Sequence, residues 1–161
     1  MKKLMLLLCL LLLITACKSK KKTAAATPPV TGSKYLVIDL DDVDAAQKKK
    51  AYELGKRVLM TCNTSRFKPF SKSEATDQVI ANTTQARLTK TCLKFRLKYG
   101  DFKDLKLVEA LRPKKSKVTI YRYKALYEKK IANKELRITM DENNKISSLK
   151  STDWLDKYKP L

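Results

Sequence analysis

The run Leu93-Lys94-Phe95-Arg96-Leu97-Lys98-Tyr99-Gly100-Asp101-Phe102-Lys103-Asp104-Leu105-Lys106-Leu107-Val108 contains the change of period that decides the fold. Up to Tyr99 the apolar residues recur at helical steps, with Leu88, Cys92, Phe95 and Tyr99 making one stripe. A stripe of that spacing packs a helix against a core. Gly100 is the kind of residue that ends such a helix. Beyond it the period is that of a strand. Leu105, Leu107 and Val108 begin one that closes before Pro113. Val118 to Glu128 is expected to be the longest strand, with Val118, Ile120, Arg122, Lys124 and Leu126 on one face. Thr119, Tyr121, Tyr123, Ala125 and Tyr127 share the other face. Leu136, Ile138 and Met140 then alternate with Arg137 and Thr139, and Asp141-Glu142-Asn143-Asn144 reads as a hairpin turn, since Asn tolerates positive φ. Ile146 and Leu149 belong to a last strand, and Trp154 pins a short tail.

Upstream, Val43 to about Thr61 reads as a helix, with Ala51, Leu54, Val58, Leu59 and Cys62 on one side and Lys48, Lys49, Lys56 and Arg57 largely towards solvent. Phe67-Lys68-Pro69-Phe70 is a turn with two aromatic plugs, and Ser71-Lys72-Ser73-Glu74 has the form of a capping box. The helix that follows runs to about Tyr99, with Asn82-Thr83-Thr84 the point at which it would break. The expected domain, residues 34–161, is α+β: two or three N-terminal helices packed on a curved four-stranded antiparallel sheet.

Helices first and an antiparallel meander after them resemble the nuclear transport factor 2-like (cystatin-like α+β) fold, more closely its small members in bacterial lipoproteins. The likeness rests on Lys98-Tyr99-Gly100-Asp101-Phe102, on Val118-Thr119-Ile120-Tyr121, and on the run from Leu136 through the acidic turn to Lys145-Ile146. It covers roughly Ala51 to Trp154. The resemblance implies a sheet curled around helices into a cone that is filled, holds an apolar ligand, or carries a catalytic acid.

The chain begins with Met1-Lys2-Lys3 and an apolar run from Leu4 to Ala16, the order of a secretory signal. Thirteen residues at ~1.5 Å each cover about 20 Å, short of a hydrocarbon core of about 30 Å. Ile14-Thr15-Ala16-Cys17 resembles the bacterial lipobox. That resemblance implies cleavage after Ala16, a signal peptide of residues 1–16, and lipid attachment at Cys17. Residues 17–33, basic and then Pro-bearing at Pro28-Pro29, read as a linker. Lys18 stands where enteric inner-membrane lipoproteins carry Asp, which implies the outer membrane. The run Lys18 to Lys22 lacks an acidic surface-export signal, so the expected orientation is towards the periplasm.

The formal charge is +20. Lysine greatly outnumbers arginine and is scattered, whereas bidentate base or phosphate recognition favours arginine. No nucleic-acid partner is expected. The basic run after Cys17 would lie beside headgroups, where each lysine contributes about 1 kcal/mol if the lipid is anionic.

There is no histidine, so Ser-His-Asp and Cys-His pairs, and a base near neutral pH, have no candidate. No cofactor or metal is expected; Cys62 and Cys92 alone lack the number and spacing for zinc. These two are instead a candidate disulfide of an oxidising compartment or two buried thiols. Tyr35 to Val43, with Asp39 and Asp41, resembles the first motif of haloacid dehalogenase phosphatases. It departs from that motif at Asp42, where glycine is expected, and at Asp44, and a later paired-acid metal motif is missing. The alternative is an extended segment leading into an acidic helix start.

Two functions follow. One is a non-enzymatic envelope module that binds a partner protein or a small apolar ligand, with Tyr121, Tyr123 and Tyr127 as a binding face or a homodimer surface. The other is an acid-only isomerase or hydrolase using Asp101 or Glu135 beside those tyrosines. The anchor is tested first: the wild-type protein should enter the detergent phase and label with palmitate. Cys17→Ser should be released or stay unprocessed; equal labelling of both would dispose of the anchor.

Overall fold

A computed structural model describes residues 34–160. Residues 1–33, which hold the expected signal peptide, Cys17 and the expected linker, lie outside the described residues. The elements run β1 (Tyr35–Ile38), α1 (Ala45–Thr64), α2 (Asp77–Asn82), α3 (Gln85–Tyr99), β2 (Phe102–Pro113), β3 (Thr119–Tyr127), β4 (Lys134–Met140) and β5 (Ile146–Asp153). The fold is α+β. Its sheet has five strands in the order β1-β2-β3-β4-β5, every neighbouring pair antiparallel.

The expected count of four strands is corrected to five. The additional strand is β1, which pairs Tyr35 with Pro113 and Ile38 with Ala110. It exists because β2 reaches as far as Pro113 and offers an edge there. The longest strand is also β2, at 12 residues against 9 for β3. It starts early because the Asn63 side chain, from α1, receives Phe102 N–H at 2.9 Å and donates to Phe102 C=O at 2.8 Å. That clamp holds the chain extended immediately after Gly100.

The helix ends obey local chemistry. Asp44 accepts from Gln47 N–H at 2.6 Å and caps α1. Gly100 sits at φ +76° and its N–H closes α3 onto Arg96 C=O at 2.9 Å, a conformation costly for any residue with a Cβ. Asn144, at φ 57°, turns the β4–β5 hairpin, while Asp141 Oδ1 accepts from Asn143 N–H and Lys145 N–H.

The Ser71–Glu74 segment is a turn rather than a helix start; α2 begins only at Asp77. Half of the expected capping box is present, with Ser71 N–H donating to Glu74 Oε2 at 2.9 Å. The next residues do not coil because they pair with β5: Thr76 N–H donates to Ile146 C=O and Ile146 N–H to Glu74 C=O. Inter-segment pairing has overridden the local signal.

One core joins the layers, drawn from residues 43–146. α1 presents Ala51, Leu54, Val58 and Leu59 to it, and the sheet presents Leu105, Tyr123, Leu136, Ile138 and Met140. Residues 34–160 therefore carry a core of their own. Cys62 of α1 and Cys92 of α3 are joined by a disulfide. Closing a 30-residue separation contributes roughly 3–4 kcal/mol in the chain-entropy model. Denatured, unreduced protein from residue 34 onward should show no free thiol, and reduction should lower its stability by about that amount; two free thiols before reduction would remove the bridge.

Glu74 also grips Arg57 on α1 through both carboxylate oxygens, at 2.7 and 3.0 Å. The Arg57 hydrogen bonds outweigh the cost of partial burial and hold its pKa down at about 2. A carboxylate whose folded pKa lies below its unfolded value of 4.5 stabilises the fold fully above that value. The stabilisation, at most about 3 kcal/mol, is lost as pH falls from about 5 towards 2. Acid unfolding of Glu74→Gln should be less steep across that window than that of the wild type, with lower stability at pH 7. Superimposable acid profiles would show the pair to be inert.

Candidate functional site

Each face of the sheet is occupied by the chain's own elements. On the inner face lie Tyr121, Tyr123 and Tyr127, the residues expected to form a binding face. They are 0%, 1% and 9% exposed, beneath the helices. Sequence alternation placed them together correctly but cannot tell which face turns inward. Tyr127 packs among Phe95, Tyr99 and Phe102 with ring centres 5.7–6.2 Å away. The Tyr121 hydroxyl donates to Gln47 Oε1 at 3.0 Å and that of Tyr123 to Lys48 C=O at 3.4 Å. Burial pushes the Tyr121 phenol up to about 12 and raises those of Tyr123 and Tyr127 as well. All three are neutral phenols; Tyr121 and Tyr123 donate hydrogen bonds, while the buried Tyr127 hydroxyl has no partner among the described residues.

The outer face carries Glu109, Arg122, Glu135 and Arg137. Arg122 is 1% exposed and donates to Glu109 and Glu135, each at 2.6 Å. Arg137 pairs with the other Glu135 oxygen. The C-terminal segment covers them. Leu155 C=O accepts from Arg122 at 2.7 Å and Lys159 C=O from Arg137 at 2.6 Å. Trp154 and Tyr158 lie over the two guanidinium groups at 4.8 Å. Trp154 does pin the tail, and the partner it meets is a buried arginine. Sequence reasoning missed this layer because arginine on an alternating strand reads as solvent-facing.

Between the N-terminal half of α1 and strands β2 and β3 the chain leaves a cavity of about 310 Å³. Leu105, Leu107 and Tyr123 come from the sheet, and Ala45, Lys48, Lys49 and Tyr52 from the helix. The helical residues stand at i, i+3, i+4 and i+7, one face of a helix. That spacing was present in the sequence, but its lysines directed it to solvent. Lys48 Nζ is held by Leu40 C=O at 2.8 Å. Further along α1, the Tyr52 hydroxyl donates to Asp104 Oδ1 at 2.6 Å and Lys56 Nζ donates to both, at 2.9 and 3.1 Å. The Tyr52 hydrogen bond is the largest cause holding the Asp104 carboxyl below its ordinary value. The Lys56 ammonium is raised, first by Tyr52 and then by Asp104. The cavity is thus an apolar slot with cationic side chains among its walls and a closed ionic pair beside it.

The remaining candidates are dispersed. Asp39 and Asp41 lie in the β1–α1 loop, where Asp41 N–H donates to Asp39 Oδ1 at 3.0 Å. The sheet beside them is antiparallel, unlike the parallel sheet on which the phosphatase reading depends. Asp101 pairs with Arg96 at 3.0 Å, and Glu135 lies on the outer face, across the sheet from the cavity. No family model, curated protein or solved structure matches the chain.

Proposed function

We propose that this chain is a membrane-tethered envelope lipoprotein anchored at Cys17, at the periplasmic side of the outer membrane. Its domain, of nuclear transport factor 2-like kind, is a non-enzymatic module that holds a small apolar ligand with an acidic end. The observation that carries the reading is the slot itself. A floor of Leu105, Leu107 and Tyr123 with Lys48 and Lys49 among its walls suits a hydrocarbon body and an anionic head. Its volume of about 310 Å³ sits at the lower end of ligand pockets, roughly 300–1,000 Å³. The neighbouring acid also favours binding over catalysis. A general acid for use near neutral pH needs a raised pKa, whereas Asp104 is lowered by Tyr52 and Lys56.

Native mass spectrometry of the chain from residue 34 onward, mixed with medium-chain fatty acids, tests this. A complex of one ligand per chain is expected. Leu107→Trp, which fills the slot from a half-buried position, should weaken it at least tenfold with little change in melting temperature. Equal binding by wild type and variant would remove the slot as the site. Turnover of the ligand, lost on Asp104→Asn, would make the module an enzyme.

A further inference from the structure

The helix α3 is amphipathic in an unusual sense. Its inner stripe is Leu88, Cys92, Phe95 and Tyr99, all buried or half-buried, and that stripe is fully accounted for by the core. Its outward face is not purely polar. Leu93 and Leu97, one turn apart, are 64% and 72% exposed, among the most exposed large apolar side chains of the described residues. Lys90 and Lys94 stand beside them at i, i+3 and i+4 spacing and make no ion pair among the described residues. Across Gln85–Tyr99 there are five lysines and arginines and not one acid. The loop after β3 joins the same end of the helix: Lys129 Nζ donates to Leu97 C=O at 3.2 Å and Lys129 N–H to Tyr99 C=O at 3.0 Å. That loop adds Lys130 and Ile131, the latter 69% exposed.

A face of this composition suits neither water nor a protein core. Leucines at the centre lose by staying hydrated, and lysines at the flanks lose by being buried without partners. Both are satisfied at the boundary of a negatively charged bilayer, where apolar side chains enter the acyl region and lysines reach headgroup phosphates. We infer that the outward face of α3, with the Lys129–Ile131 loop, rests on an anionic lipid surface. Charge complementarity selects this occupant over a second copy of the chain, because two such faces would set lysine against lysine. The inference does not depend on the lipid anchor, since the described domain supplies every residue used.

The test is flotation of the chain from residue 34 onward, which has no Cys17, with vesicles of phosphatidylethanolamine alone or mixed with phosphatidylglycerol. Binding is expected only to the mixed vesicles and should fall as salt is raised. Leu97→Gln should reduce partitioning roughly tenfold, and Lys94→Gln about fivefold. Because both side chains are exposed, the melting temperature should stay within a degree or two, which separates lost docking from lost folding. Equal binding to both vesicle types, no binding to either, or an unchanged Leu97→Gln variant would overturn the inference. So would a dimer in sedimentation that Leu97→Gln dissolves while vesicles are ignored, or retention on a DNA oligonucleotide in preference to the mixed vesicles. Loss of palmitate labelling at Cys17 with flotation intact would strike the anchor alone.

Discussion

The structure depends on how closely α1 approaches the sheet at Gly55. A Cβ built there would come within 2.5 Å of Ile138 Cδ1, 3.0 Å of Leu136 Cδ2 and 3.2 Å of Leu105 Cδ1. A Cβ there would push aside the ends of the Ile138 and Leu136 side chains, so glycine helps set the separation of the helix backbone from β2 and β4. Glycine costs a helix interior about 1 kcal/mol against alanine, and overpacking a seated contact costs about 1–3 kcal/mol, so the balance favours glycine here. The same contact sets the site. The helix is seated at Gly55, and the gap above Leu105 and Leu107 opens at Ala45 to Tyr52, towards its N-terminal end. The far end of that stretch is tied down separately: Gln47 Nε2 donates to Asp141 C=O and Asn144 Oδ1 of the β4–β5 turn. The helix is thus tied to the sheet on both sides of the slot, at Gly55 and at Gln47.

The outer face is held by a different force. Two arginines and two glutamates, with Glu135 fully buried, form a connected network rather than an apolar layer, with Arg122 Nε buried and without a partner among the described residues. Such networks contribute little net stability once desolvation is counted, yet breaking one member leaves a buried charge unpaired. Their effect is geometric. Arg122 and Arg137 hold the tail through Leu155 C=O, Lys159 C=O and the rings of Trp154 and Tyr158. Tyr158 in turn meets Tyr35 of β1 edge-on at 4.8 Å. The last residues of the domain thereby close over the first strand, which keeps a short edge strand in place.

Much of the order of elements could be read from period alone. The helical steps from Leu88 to Tyr99, the stop at Gly100 and the alternation at Leu136-Ile138-Met140 all correspond to what the chain does. What could not be read depends on partners distant in sequence. β1 is four residues beside an acidic loop, and its strand character comes from Ala110 to Pro113. β2 begins at Phe102 because of Asn63. The burial of Tyr121 rather than Arg122 as the helix-facing side is a choice between two bulky amphipathic faces, and Arg122 ends up buried too. Lys48 and Lys49 belong to a cavity wall because the strands opposite carry Leu105 and Leu107, which nothing on the helix reports.

The distribution of charge bears on function in the same non-local way. Among the described residues, the carboxylates whose pKa is displaced, Glu74, Asp104 and Asp153, are all lowered, each chiefly by a hydrogen bond from Arg57, Tyr52 and Lys134 respectively. In a chain with 36 basic and 16 acidic residues, an acid is drawn to a cation before it can be isolated in an apolar pocket. The buried Glu135 is held by two arginines. The excess of base also leaves lysines without an acid among the described residues: Lys48 of α1, held by Leu40 C=O, stands at the slot, and Lys90 and Lys94 of α3 flank exposed leucines. The same surplus supplies cations at both places where we propose that an anion is held.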